Sequence, residues 1–413
     1  MGTVDIIPII PFANGEATGK ALGRECLSQR IAETLDDRYL KPTLGAMSRT
    51  ELAQYVTGRM ETPPDYALYP ELEEIYPERV EYLRGLAAGA DCSLSEAAVY
   101  DYVVFRQHID TWYWSHQLQP EPGHCSGVLM DGPDGILGGK SAEGFPRVPQ
   151  PVGYRWRTPR PYAGLRQLKP ETPNLTLRKP RTGYIESWGT CNEKGVACVA
   201  SVACSVLLDE PIEDTWPIGQ VPLLRFAADA RQLAELYTRY TLHNWTRANQ
   251  IWADTRGNGV AIEKCFRRIG LRWMGDDCVL WCTEGHYESP AMFAYMRAKR
   301  LEYLEKAGKH PGAEDMQYAT DCAVRFTHMA ELCHEPWGRD CEHMRRVLTD
   351  HDPFPRAVCR HGGPDTAAYD RTVTGASTIY DLTHNRVFRR EWTPWKRFCC
   401  QAPEKVTQFP PLP

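Results

Sequence analysis

The sequence predicts an α+β fold, in which antiparallel hairpins and amphipathic helices occupy different stretches of the chain. Short strand-like runs flank an Asp-Gly turn at 131–135, and others flank a Lys-Gly turn at 192–195. Tight turns of this kind join antiparallel neighbours. Apolar residues recur at helical spacing within 17–36 and 221–240. The 413 residues are 42% hydrophobic and 24% charged, which is ordinary for a globular chain with a sizeable core.

Helices are predicted for several segments before residue 105. The segments 17–36 and 76–88 carry apolar residues at helical spacing, and 50–60 is predicted as a further helix that ends before a Pro-Pro pair. Ser93 and Glu96 stand three residues apart, as in a capping box, so another helix is expected to begin there.

The most informative stretch begins at Cys125, after a segment rich in proline and glycine. A strand is predicted from Cys125 to Met130, a turn over 131–135, and a returning strand from Ile136 to Lys140. The polar residues at the end of this return are Lys140, Ser141 and Glu143. A thiol at a strand start, with polar groups brought back beside it, is a candidate nucleophile site.

Later segments are assigned in the same way. Two strands are predicted within 184–208, and the second is rich in small and β-branched residues, as in a strand buried on both faces. A helix is predicted over 221–240, followed by strands at 248–254 and 260–263. The segment 146–182 is rich in proline and arginine and is expected to form a long loop or an edge hairpin.

Charge and hydropathy exclude some classes of partner. The net charge of −5 gives no reason to expect nucleic acid or an anionic membrane as a partner. The sequence has no apolar run near the ~20 residues that a membrane span needs, and its start does not read as a signal peptide. Fifteen cysteines without an export signal favour buried thiols in a reducing compartment, so a cytoplasmic location is expected.

No metal site and no cofactor are expected from the sequence. The nearest approach to a ligand cluster is Cys278 and Cys282 followed by His286. Zinc sites usually draw on two separated pairs of ligands, and no Cys-x-x-Cys pair completes a site here.

Five segments occur in an order that resembles one known family. They are Leu83–Glu96, the Cys125 hairpin, Ala248–Asp254, Trp281–Pro290, and the Leu-x-Asp-His and Val-Cys-Arg-His motifs of 348–361. Together they resemble the acyl-coenzyme A:6-aminopenicillanic acid acyltransferase-like group of the N-terminal-nucleophile hydrolases. In that family a precursor cuts itself just before a cysteine, which becomes the nucleophile.

The resemblance implies a four-layer αββα sandwich with two mostly antiparallel sheets. It also implies self-cleavage between His124 and Cys125. Residues 1–124 would then be an N-terminal helical segment and 125–413 the hydrolase core, with the fragments expected to stay associated. The chain departs from the family pattern, because His124 stands where glycine is usual.

Further site residues come from the same resemblance, position by position. Cys125 takes the place of the nucleophile, and Asn249 that of the amide that holds the oxyanion. Lys140 and Glu143 are expected to position the new amino terminus or the polar end of the substrate, and Glu143 is counted as catalytic. The expected substrate-binding residues are Lys140, Ser141, Ser201 and His286.

The implied activity is acyl transfer through an acyl-thioester on Cys125. The acyl group passes to water or to an amine, and the sequence leaves this choice open. The donor is a small-molecule amide or a thioester of coenzyme A or a carrier protein, and natural-product amides are in scope. Two alternatives remain: an uncleaved binding or scaffold protein with the same fold, and an uncleaved enzyme in which His124 or His286 is the base.

Overall fold

The computed structural model of the chain describes residues 11–35, 48, 50–54, 75–101, 125–144, 165–167, 190–192, 194–203, 224, 227–241, 247–265, 268–283, 288–306, 313–353, 357–361, 373–391 and 399–409. The strands are β1 (Ser126–Gly132), β2 (Gly135–Gly144), β3 (Leu165–Gln167), β4 (Thr190–Asn192), β5 (Val196–Ala203), β6 (Arg247–Asp254), β7 (Gly259–Cys265), β8 (Arg268–Trp273), β9 (Val279–Thr283), β10 (Val373–Asp381), β11 (Arg386–Glu391) and β12 (Lys405–Gln408). The longer helices are α1 (Pro11–Leu35), α2 (Ile75–Ala90), α3 (Ala230–Thr241), α4 (Pro290–Lys306), α5 (Ala313–His334) and α6 (Cys341–Leu348).

The strands form two six-stranded sheets in which every described pairing is antiparallel. The first sheet has the order β12-β11-β10-β2-β1-β9, and the second has the order β3-β4-β5-β6-β7-β8. Strand β1 therefore lies inside the first sheet, between β2 and β9, and β6 lies inside the second, between β5 and β7.

The two sheets pack face to face around a shared apolar layer. Leu129 and Ile136 of the first sheet meet Val199, Ala200 and Ile251 of the second in one buried cluster. Side chains alternate between the faces of a strand, so the residues next to these in each strand point away from the other sheet. The sheets form the two inner layers of the molecule.

Helices cover both outer faces. Val128 and Met130 on the outside of the first sheet pack with residues of α5 and α6, such as Met329 and Met344. Trp252 and Ile262 on the outside of the second sheet pack with residues of α3, which include Leu233 and Tyr237. The order of layers is helix, sheet, sheet, helix, and the predicted four-layer αββα sandwich is confirmed.

The described N-terminal helices have an apolar cluster of their own. Leu22, Leu27 and Ile31 of α1 pack with residues of α2 and of the helical segment 94–101. The α1 and α2 backbones approach closely at glycines: a Cβ added at Gly15 would lie 2.0 Å from the Tyr82 carbonyl oxygen. The predicted capping box is present, with the Ser93 amide donating to Glu96 Oε2 over 3.0 Å and the Glu96 amide to Ser93 Oγ over 3.1 Å.

Several predicted boundaries differ from the observed ones. Helix α1 begins at Pro11, earlier than predicted, and residues 50–54 of the predicted 50–60 helix are helical. The returning strand is longer, because its pairing with β10 continues to Gly144. Within the helix predicted over 221–240, Leu224 is helical but residues 227–229 are not, and α3 begins at Ala230, where the Asp229 carboxylate accepts the Gln232 amide at 2.8 Å and so caps its first turn.

Candidate active site

Cys125 lies immediately before β1 and is partly exposed. Its side chain packs against the apolar layer between the sheets. The next residue, Ser126, pairs with Ser141 of β2 on one side and with Thr283 of β9 on the other. The thiol is therefore held at the start of a strand that has a hydrogen-bonded neighbour on each flank.

The glycine two residues after Cys125 shows which face of the sheet this position takes. A Cβ built on Gly127 would point at the second sheet, 2.3 Å from Ala200 Cβ and 3.0 Å from Cys282 Sγ. Residues two apart on a strand share a face, so position 125 faces the second sheet as well. The close approach of the sheets here admits glycine and no larger residue without a shift.

Asn249 links the second sheet to the strand beside Cys125. It is buried on β6, and its Nδ2 donates a hydrogen bond of 3.1 Å to the Thr283 carbonyl oxygen at the end of β9. Thr283 pairs with Ser126, the residue after Cys125. The side-chain amide predicted to serve the oxyanion thus lies across the gap from the candidate nucleophile, one strand pairing away.

Lys140 is buried opposite Gly127, and its ammonium group lies near the Cys282 thiol. Burial raises the pKa of Cys282 to about 12, although the positive charges of Arg272 and Lys140 oppose that rise. Cys282 is therefore a neutral packing residue. Lys140 places a positive charge in the space between the sheets near Cys125.

The Ser141 side chain lies on the outer face of the first sheet, opposite to the face that carries Cys125. Its hydroxyl donates to the Val358 carbonyl oxygen at 3.2 Å, and Val358 belongs to the apolar layer under α5 and α6. Ser141 stands opposite Ser126, whose position alternates with those of Cys125 and Gly127. The structure thus does not bring Ser141 to the face that carries Cys125.

The other predicted site residues are described in part or not at all. Glu143 is in β2 and pairs with Thr374, and Ser201 is in β5 and pairs with Gln250. The side chains of Glu143 and Ser201 lie outside the described part of the structure, as do His124 and His286 entirely. The roles assigned to these four residues stay predictions.

Glu263 anchors the residues that precede α4. The buried Glu263 carboxylate accepts the amides of Glu288 and Ser289, at 2.7 and 3.1 Å, just before α4 begins. Burial raises the pKa of Glu263, while these two hydrogen bonds and the guanidinium of Arg272 oppose that rise. Glu263 ties the second sheet to the start of α4, on the same strand that pairs with Asn249.

Arg272 is a residue that sequence reasoning missed. Its guanidinium lies over the Trp281 ring, 4.8 Å from the centroid, and its Nε is 3.2 Å from Glu288 Oε2. It also donates to the Trp281 carbonyl oxygen. The sequence around Arg272 does not predict these contacts, because its partners Trp281 and Glu288 come from β9 and from the residues just before α4.

Comparison with known proteins gives distant matches only. No protein-family model matches the chain, and no curated protein matches it. Among solved structures, a mutant of conjugated bile acid hydrolase from Clostridium perfringens aligns with a TM-score of 0.35 and 12% identity, over 69% of this chain and 98% of that chain. Penicillin V acylase from Agrobacterium tumefaciens aligns with a TM-score of 0.36 and 14% identity, over 65% and 83%. Such values assign no family, and the fold assignment rests on the sheet order and layers above.

Three observations concern other kinds of site. Among the residues that the structure describes, no helix is long and apolar enough to cross a membrane. None of the described cysteines is in a disulfide. Cys278 and Cys282 do not belong to the described cluster of potential metal ligands, which lies elsewhere, between the end of α6 and β12.

Proposed function

We propose that the chain is a cysteine-nucleophile enzyme that transfers acyl groups from amides or thioesters, with Cys125 as the nucleophile. The observation that carries this proposal is the position of Cys125. A partly exposed thiol stands immediately before the internal strand β1, faces the gap between two sheets, and has the Asn249 amide across that gap.

Activation by self-cleavage is the first step of the proposal. The Cys125 thiol adds to the His124 carbonyl carbon, and the bond from that carbon to the Cys125 nitrogen breaks. This N-to-S shift leaves residues 1–124 as a thioester on Cys125. Water then hydrolyses the thioester, so that His124 ends in a carboxylate and Cys125 has both a thiol and a free amine.

The new amine supplies the base for the catalytic cycle. An α-amino group has an unperturbed pKa of about 7.7–8.0, so a useful fraction is neutral near pH 7 and can accept a thiol proton. The Cys125 sulfur adds to the substrate carbonyl, and the resulting oxyanion accepts a hydrogen bond from Asn249 Nδ2. The leaving group departs with a proton, and water or an amine releases the acyl group from the sulfur.

Lys140 extends this scheme to the polar end of the substrate. Its side chain is buried between the sheets near Cys125, where charges interact more strongly than in water, so its positive charge favours an anionic group of the substrate nearby. We propose that it holds the substrate's carboxylate or helps to position the new amino terminus. A coenzyme A or carrier-protein thioester is an admissible donor in the same scheme.

Intact mass of the purified chain under denaturing conditions tests the first step. The proposal expects two fragments that meet between His124 and Cys125, and a single chain in Cys125→Ala. Cys278→Ala is the matched control, because Cys278 is also partly exposed but lies in a turn away from the site. A control that loses cleavage together with Cys125→Ala would contradict a specific role for Cys125.

Acyl trapping tests the second step. After incubation with short-chain and aromatic acyl thioesters and an acid quench, an added acyl mass is expected on the peptide that contains Cys125. An intact chain that still traps the acyl group would favour the uncleaved enzyme with His124 or His286 as base. An intact chain with no adduct would favour the uncleaved scaffold, which is supported by the departures from the family pattern at His124, Ser141 and Glu143.

A further inference from the structure

Two cysteines and two histidines converge between the end of α6 and β12, away from the site described above. They are His351, Cys359, His361 and Cys400, and one ligand atom from each lies within 4.8 Å of all the others. His351 is exposed, His361 and Cys400 are partly buried, and Cys359 is fully buried. Two thiols and two imidazoles form one of the usual ligand sets of a structural zinc site.

The spacing of the donor atoms fits such a site. His361 Nε2 lies 3.3 Å from Cys359 Sγ and 3.2 Å from Cys400 Sγ. With zinc bonds of about 2.3 Å to sulfur and about 2.0 Å to nitrogen, a tetrahedral centre separates sulfur from nitrogen by about 3.5 Å. Small shifts would therefore bring both sulfurs and this nitrogen onto one ion.

The two sulfurs share one imidazole nitrogen in this arrangement. A neutral imidazole nitrogen has either one hydrogen to donate or one lone pair to accept with. His361 Nε2 nevertheless has two sulfurs at hydrogen-bonding distance, so it can make a well-formed bond with only one of them. A metal ion at the centre would bind both thiolates and both imidazoles at once.

The backbone around the cluster is held in place independently of any ion. The Cys359 amide donates to the Asp350 carbonyl oxygen at 2.8 Å, and the Arg360 amide donates to Thr374 Oγ1 at 2.8 Å. His361 forms an isolated bridge with Val373 at the start of β10. Cys359 and His361 are thus presented from a fixed extension of the sheet, which favours a preformed site.

From this geometry we propose that His351, Cys359, His361 and Cys400 bind one zinc ion in a closed, structural site. Both thiols lose their protons on binding, and the two thiolates balance the charge of the ion. Four protein ligands leave no open position for a substrate. The ion would join His351, Cys359 and His361 to the short 3₁₀-helix Cys399–Gln401, and so hold in place β12, one of the two edge strands of the first sheet.

The test is the zinc content of the purified full-length chain, prepared with a reductant and without chelator, by inductively coupled plasma mass spectrometry. About one equivalent per chain is expected. In Cys359→Ser and Cys400→Ser the zinc affinity should fall by at least about 100-fold, because even loss of an outer-shell partner costs 10–100-fold. Cys92→Ser is the control, since Cys92 is also partly buried and lies outside the cluster; it should keep its zinc.

Cobalt substitution separates this site from loosely bound metal. The cobalt-loaded chain should show the thiolate charge-transfer absorption of a tetrahedral site, and His351→Ala, at an exposed position, should alter it without unfolding the chain. Three results would overturn the proposal: zinc well below one equivalent with no uptake of added zinc, unchanged zinc in the double variant Cys359→Ser/Cys400→Ser, or a Cys359–Cys400 disulfide that persists in the chain purified with reductant.

Discussion

Gly127 is expected to be indispensable, because it sets the distance between the sheets beside Cys125. In Gly127→Ala the new methyl group would lie 2.3 Å from Ala200 Cβ, whereas non-bonded carbons prefer about 3.5–4.0 Å. The sheets would have to separate by roughly 1.2–1.7 Å at two internal strands, β1 and β5. Overpacking of this kind typically costs about 1–3 kcal/mol, and we expect the upper end, because both groups are fixed to backbone.

A second substitution tests the cause directly. Ala200→Gly removes the group that the new methyl meets, so Gly127→Ala/Ala200→Gly should recover about 1–2 kcal/mol relative to the sum of the single variants. Urea unfolding in a Cys125→Ala background keeps the chain in one piece for these measurements. Gly375→Ala is the control, because its nearest neighbour would be 3.7 Å away, an ordinary contact. An unchanged urea midpoint in Gly127→Ala, or no recovery in the double variant, would refute the reasoning.

Three further predictions concern buried polar groups. Asp254→Ala should destabilise the chain by about 3–5 kcal/mol in urea unfolding, because it leaves the amides of Ala230, Arg256 and Asn258 without their carboxylate acceptor; Asp254→Asn should cost less. Asn249→Ala should lower kcat by about 10²–10³-fold with little change in KM, if its amide donates to the oxyanion. A rise in KM of that size with kcat unchanged would contradict this role. The pKa of Glu263 is raised above its ordinary value of 4.5 by burial, so the free energy of unfolding should fall as pH rises from about 4.5 through the folded pKa. Glu263→Gln should remove that part of the pH dependence of the unfolding free energy.

The sequence predicts those parts of the fold that depend on local chemistry. The Asp-Gly turn before β2, the capping box at Ser93 and the buried character of β5 are each set by a few neighbouring residues, and all three are confirmed. The predicted helix 221–240 is interrupted at residues 227–229, because the Asp229 cap starts a new helix inside an apolar pattern that is continuous in the sequence. The spacing of apolar residues does not show where such a cap starts a new helix.

The candidate site is less accessible to such reasoning, because it depends on register and on distant contacts. Ser141 faces away from Cys125 because β1 and β2 pair Ser126 with Ser141, and a shift of one residue in the hairpin would reverse this. The cluster around His361 joins residues 351–361 to Cys400, which lies 39 positions further along. They come together because β12 pairs with β11 and the 3₁₀-helix Cys399–Gln401, which precedes β12, packs against β10.

The position of β1 has a mechanical consequence for a protein cut before Cys125. A freshly made chain end usually frays, because its first residues have few neighbours. Here Ser126 and the residues after it are hydrogen-bonded to β2 on one side and to β9 on the other, so the new end would stay anchored inside a sheet. The sulfur and the nitrogen of one residue would then keep their mutual placement through every turnover, with only a few bond rotations left to them.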